Sequence, residues 1–201
     1  MSSARKTNLL GGKDLISVGI FSAVYFVLNF LCMLLSGLHP LVWIFMPMNI
    51  AILTGVPFLL LCARVQKFGA VLLMGVITGL IYYVTGQFTV ILLISFGCAC
   101  LLAEAVRALG HYRGARANTA AFALFSLGMT GSPLPIWLMR SSFLAQIREQ
   151  GMAEEYLSAL ERVSSPLMLA VMFAATIAGA LLGALLARKM FRKHFEKAGI
   201  A

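Results

Sequence analysis

The stretch Leu15–Ala63, LISVGIFSAVYFVLNFLCMLLSGLHPLVWIFMPMNIAILTGVPFLLLCA, runs for 49 positions without an Asp, Glu, Lys or Arg. A membrane-spanning helix needs about 20 apolar residues, so this stretch holds two spans and a reversal between them. Ser36-Gly-Leu-His-Pro40 supplies the reversal, because Gly and Pro are the residues at which a helix stops. Outward from there the pattern repeats. Charge-free runs at 68–103, 117–139 and 163–187 cover 36, 23 and 25 positions, room for about two, one and one spans, with a second reversal at Thr85-Gly-Gln87. The sequence therefore predicts an all-α membrane protein, a single six-transmembrane-helix bundle, with spans at about 15–36, 41–63, 69–84, 88–109, 118–139 and 166–187.

Composition excludes the soluble alternative. Of the 201 residues, 61% are hydrophobic and 11% charged, whereas a water-soluble domain carries about 25% charged residues. A transmembrane β-barrel would show segments of about ten residues alternating apolar and polar, and no stretch here alternates over that length. The apolar run after Met1–Asp14 is too long for a signal-peptide core, so the first helix is expected to stay in the mature protein.

The sixteen Lys and Arg residues set the orientation. With the N-terminus inside, Arg5, Lys6, Lys13, Arg64, Lys67, Arg107, Arg113, Arg116, Arg188, Lys189, Arg192, Lys193 and Lys197 all fall on that side. Only Arg140, Arg148 and Arg162 fall opposite. Thirteen against three is a positive-inside asymmetry that predicts cytoplasmic N and C termini. The net charge of +9 then reads as attraction to anionic lipid headgroups, with no nucleic-acid role.

Cys32, Cys62, Cys98 and Cys100 all fall inside predicted spans and form no disulfide framework. Cys98 and Cys100 stand about 200° apart on a helix, a poor arrangement for one metal ion. The first helix carries a small-residue face at Gly19, Ser22 and Ala23, of the kind that lets another helix approach closely. Pro47 and Pro57 predict a kinked second helix. Glu104 and Arg107, at i and i+3, read as a helix-surface ion pair. Gly131-Ser-Pro-Leu-Pro135 interrupts the fifth span. The outer loop, about 141–164, contains an amphipathic segment, Met152–Val163, with Ala153, Tyr156, Leu157 and Leu160 at helical spacing; a basic cytoplasmic tail closes the chain at 188–201.

The chain is expected not to be an enzyme. It has no G-x-x-x-x-G-K-[ST] phosphate loop, no nucleophile–base pair and no acidic residue at the middle of a span. Its three histidines, His39, His111 and His194, are scattered. What remains is a set of polar, aromatic and sulfur-bearing side chains in the predicted outer halves of the helices: Asn29, Met33, His39, Trp43, Met46, Met48, Asn49, Tyr82, Tyr83, Trp137, Arg140, Met168 and Met172. An apolar pocket with a few polar groups is what a small-molecule site requires.

Four segments carry a family resemblance: Lys13-Asp-Leu-Ile-Ser-Val-Gly-Ile-Phe-Ser-Ala-Val-Tyr-Phe26, Val65-Gln-Lys-Phe-Gly69, Pro135-Ile-Trp-Leu-Met-Arg140 and Lys193-His-Phe-Glu-Lys-Ala-Gly-Ile-Ala201. Over nearly its full length the chain resembles the Trep_Strep family of bacterial integral membrane proteins, which are similar to the S components of energy-coupling factor (ECF) transporters, a class of ABC importers for micronutrients. The resemblance implies a multi-pass protein of the bacterial cytoplasmic membrane that captures its substrate outside and docks on one T subunit and two ATPases. Gly19, Ser22 and Ala23 would then form the docking face, and the outer residues above would bind substrate under outer-loop gates. ATP hydrolysis would belong to the partners, and the subunit would need no cofactor of its own. A vitamin-like molecule or haem is the expected cargo, with His39 or a Met as candidate axial ligand. A stand-alone oligomeric transporter or efflux protein is the alternative.

Overall fold

The computed structural model describes residues 9–85 and 89–197, with side chains through Arg192. Arg5 and Lys6, the turn residues Gly86 and Gln87, and the last four residues of the closing motif lie outside the described residues. Every regular element described is a helix. In order these are α1 (Gly12–Ser36), α2 (Pro40–Ile44), α3 (Met46–Arg64), α4 (Ala70–Val84), α5 (Val90–Leu109), α6 (Ala115–Leu127), a 3-10 turn (Gly128–Gly131), α7 (Pro135–Leu138), α8 (Arg140–Glu149), α9 (Glu154–Val163) and α10 (Pro166–Lys197). Among them α1, α3, α5 and α10 are long and apolar enough to cross a membrane, and α4 is a shorter apolar helix.

The bundle core is largely apolar, and helix α1 turns its more polar stripe into it while its outer face is apolar, as lipid outside requires. On α1 the buried stripe is Val18, Ser22, Tyr25, Asn29, Cys32 and Ser36. The opposite face presents Ile16, Ile20, Val24, Val27 and Leu31. Ser22 therefore parts from Gly19 and Ala23: it is fully buried inside the bundle, while those two lie on the outer face with nothing within 4 Å of a Cβ built at Gly19. Spacing placed all three on one face, but at 100° per residue only Gly19 and Ala23 clear the packed side.

The closest helix crossing joins α3 to α10. A Cβ at Gly55 would lie 2.5 Å from the Gly183 backbone, and one at Gly179 would lie 2.8 Å from the Met48 carbonyl oxygen. Gly179 and Gly183 form a G-x-x-x-G pair, which lets two backbones come within contact distance.

Three predicted spans end differently in the fold. The second is broken at Phe45, because Pro47 lacks the N–H that would bond back into α2 and instead opens α3. The fifth stops being α-helical at Leu127 and passes through the 3-10 turn into α7. There a Cβ at Gly128 would lie 2.7 Å from Phe96, and the Gly128 carbonyl accepts from Ser95 Oγ at 3.0 Å. The last helix does not end at 187 but runs on through the basic segment to Lys197, since a helix can continue beyond the apolar layer into water. The amphipathic segment forms α9 as expected. Helix α8 replaces what read as loop, and Arg140 starts it rather than ending the fifth span.

Candidate functional site

Contacts between elements fix two ends of the bundle. At the charged end Lys67 Nζ donates to Asp14 Oδ2 at 2.7 Å and to the Leu9 carbonyl, joining α1 to the segment between α3 and α4. Glu104 on α5 caps α4, its carboxylate accepting from the N–H groups of Gly69, Val71 and Leu72 at 2.8, 3.1 and 3.3 Å. A carboxylate there meets both the unpaired amides and the positive end of the helix dipole. Gly69 can take its left-handed φ of 91° because it has no Cβ.

Arg107, one turn further along α5, has 0% exposure. It donates from Nη2 to the Val65 carbonyl at 2.8 Å and from Nε to Asn118 Oδ1 at 3.3 Å, and lies 3.9 Å from Glu104. The expected surface ion pair is thus a buried clamp tying α5 to α6 and to the end of α3. Helical spacing predicts the pair but not which face it occupies.

At the opposite end α8 and α9 form an amphipathic cap. Ile44, Ile136, Leu144, Leu157, Leu160 and Met172 make a small separate core beneath it. The cap is tied down by Trp137 Nε1 to the Ser165 carbonyl (3.0 Å), Arg140 Nη2 to the Ser164 carbonyl (2.7 Å) and Tyr156 OH to the Ser36 carbonyl (3.2 Å). Burial pushes the Tyr156 phenol up to about 12, so it stays a donor throughout the physiological range. Arg148 and Glu154 pair in two-point contact on the exposed side.

Between cap and clamp lies the feature that reads as a binding site. Asn29 and Ser22 are fully buried and Tyr82 is 2% exposed. The phenols of Tyr25 and Tyr82 lie beside Asn29, yet both polar atoms of the Asn29 side chain, Tyr82 OH and Ser22 Oγ stop short of hydrogen-bonding geometry with any protein group. Burying such a group unpaired costs about 1–3 kcal/mol, and a site for a polar ligand is one reason for a fold to retain several. Above them a cavity of ≈ 120 Å³ is lined by Phe30, Met33, Leu34, Ser36, Trp43, Met46 and Ser132. A longer apolar groove of ≈ 590 Å³ runs between α4 and α5, with Tyr82 in its wall.

The sequence-predicted residues thus divide. Met33, Trp43 and Met46 share the small cavity, with Asn29 one turn below Met33 and Tyr82 beside Asn29. Tyr83 points outward along the groove. Asn49 is half-buried on α3, and Met48 packs against Gly179 of α10. Met168 and Met172 belong to the core under the cap. Trp137 and Arg140 hold the cap through backbone carbonyls. His39 is exposed and caps α2, its Nδ1 accepting from the Leu41 N–H at 3.2 Å; it stands outside the cavity lining. Sequence reasoning missed Tyr25 and the inward role of Ser22, although Ser22, Tyr25 and Asn29 recur at the helical spacing that marks one face.

Among the described residues no group of three or more His, Cys, Asp or Glu converges as metal ligands do. A family model described as a hypothetical bacterial integral membrane protein, Trep_Strep, matches residues 12–197. No curated protein and no solved structure matches the chain.

Proposed function

The chain belongs to the Trep_Strep family of bacterial integral membrane proteins, and from that premise we propose that it is the substrate-capturing S component of an ECF-type importer in the cytoplasmic membrane. The observation that carries the reading is the buried pair Asn29 and Tyr82, whose side-chain polar atoms make no hydrogen bond and which lies below a cavity at the capped end, with the unpaired Ser22 two turns further down α1. A protein that binds but does not energise transport needs such a site and no nucleotide loop. In this reading the chain crosses the bilayer six times, through α1, α2–α3, α4, α5, α6–α7 and α10. Both termini are cytoplasmic, as the thirteen-to-three charge asymmetry favours, and the cap faces outside.

The mechanism follows from the two ends. Substrate reaches the cavity when the α8–α9 cap lifts, since ≈ 120 Å³ is below the roughly 300–1,000 Å³ of a small-molecule site. For haem cargo, Met33 and Met46 stand in the cavity as candidate sulfur ligands, while His39 could offer only Nε2 and from outside it. A vitamin-like cargo would use Asn29, Tyr82 and Trp43. The outward face around Gly19 and Ala23 then meets the T subunit, and the two ATPases supply the energy.

Gentle purification followed by native mass spectrometry tests this reading. The expected result is a complex with a T subunit and two ATPases that Gly19→Trp or Ala23→Trp disrupts while ligand retention persists. A homo-oligomer under conditions that keep other ABC complexes whole would overturn it in favour of a stand-alone transporter.

A further inference from the structure

The groove between α4 and α5 has a property that helix packing does not account for. Gly75, at its charged-end side, is required by close packing, because a Cβ there would collide with Cys100 Sγ. Gly79 and Gly97, which also line the groove, have nothing within 4 Å of a built Cβ. Their missing side chains keep open a space that no neighbouring helix fills. From Leu72 to Tyr83 the trench runs about 17 Å along α4 at 1.5 Å per residue, the length of a long hydrocarbon chain, and its wall is almost entirely hydrocarbon.

Tyr82 joins this trench to the polar cluster. Its ring forms part of the groove wall, while its hydroxyl lies beside Asn29 without a partner and only 2% of the residue is exposed. The Asn29 amide offers two unused N–H donors and an unused acceptor oxygen, and the Tyr82 hydroxyl offers either. No ionised side chain is among the described residues of groove or cluster, and the nearest buried charges, Glu104 and Arg107, are committed to each other and to backbone groups. A charged headgroup would be buried there without a counter-ion, whereas a hydroxyl, carbonyl or amide would find both donor and acceptor.

We infer that the α4–α5 groove admits an uncharged amphiphile sideways from the bilayer, its apolar body lying along Gly79 and Gly97 and its single hydrogen-bonding head meeting Tyr82 and Asn29. This deepens the proposed function, resting on the reading that Asn29 and Tyr82 belong to the binding site; it names the substrate class as lipophilic and neutral, and for that class it replaces cap lifting by lateral entry as the route.

The test uses the full chain alone in phospholipid nanodiscs and a diazirine-bearing hexadecanol, compared with the same tail carrying a trimethylammonium head. After photolysis, adducts are mapped by peptide mass spectrometry. The expected result is saturable labelling within 75–83 and 92–101, competed by plain hexadecanol and about tenfold weaker for the cationic probe. Gly97→Leu fills the open space without touching the core and abolishes saturable labelling; Tyr82→Phe and Asn29→Leu each raise the half-saturating probe concentration about tenfold. Labelling that rises linearly with probe, is equal for both heads and is unchanged in Gly97→Leu identifies bulk lipid only and overturns the inference. Because no partner subunit is present, the outcome separates from that of the importer reading. A chain that co-purifies with ATPases but shows no saturable labelling loses only this inference, and one that labels but never co-purifies keeps the groove and loses the importer.

Discussion

Arg107 and Asn29 are equally buried, both at 0% exposure, yet their surroundings are opposite. Arg107 donates to the Val65 carbonyl and to Asn118, its Nη1 facing Glu104 at 3.9 Å without a hydrogen bond, and Glu104 itself caps α4 with three accepted N–H bonds. Asn29 sits beside Tyr25 and Tyr82, and neither of its side-chain polar atoms makes a hydrogen bond. One cluster spends its polarity on holding four segments together. The other keeps polar atoms buried without partners, at a cost to stability of about 1–3 kcal/mol each. The contrast teaches where this fold is rigid and where it is available: the charged end is closed by its own bonds, and the space under the cap is not.

The largest effect belongs to the clamp. Arg107→Ala removes the partner of Glu104, Asn118 and the Val65 carbonyl at once, and breaking a buried pair from one side costs about 3–5 kcal/mol. Thermal unfolding in detergent should show a loss of that size; one below about 1 kcal/mol would erase the distinction between the clusters. A smaller effect of opposite sign is expected at the second cluster. Asn29→Leu removes two unpaired polar atoms, so stability should hold or rise by about 1 kcal/mol while retained ligand falls. A clear destabilisation would mean that Asn29 is a structural residue like Arg107, and the comparison would fail.

The smallest effect lies in the cap. The hydrogen bond from Arg148 holds the Glu154 carboxyl below the usual carboxylate range. Its contribution is therefore present above the ordinary glutamate value near 4.3 and is lost as pH falls through the lowered one. Emission from Trp43 and Trp137, which pack against the core beneath the cap, should show a slight step below about pH 4. In Glu154→Gln that step should be absent, and its persistence would place the acid-sensitive group elsewhere.

Much of the architecture was legible along the chain because lipid imposes long uninterrupted apolar runs. The starts of the described helices α1, α4, α5 and α10 fall within about three residues of the expected ones. The amphipathic α9 was readable from Tyr156, Leu157 and Leu160. Helix α8 was not, since Arg140, Gln146 and Arg148 make it polar on average and its apolar contacts, Phe143 and Leu144, reach a core supplied by α2 and α10. Of the residues expected to bind substrate, Met33, Trp43 and Met46 share one cavity lining and Asn29 and Tyr82 are buried side by side. His39 and Arg140 matched by type but are committed to a helix cap and a backbone carbonyl.

The sequence by itself determined that this is an integral membrane protein built of helices, because span length is a property that each segment carries alone. Only the tertiary structure decided that Ser22 turns inward while Gly19 and Ala23 face out. It alone decided that Glu104 and Arg107 are buried, that Gly55 and Gly183 meet, and that Gly79 and Gly97 border a groove. Those outcomes depend on which face of each helix its neighbours cover, and in a bundle whose outside and inside are both largely apolar, periodicity cannot tell one covered face from another.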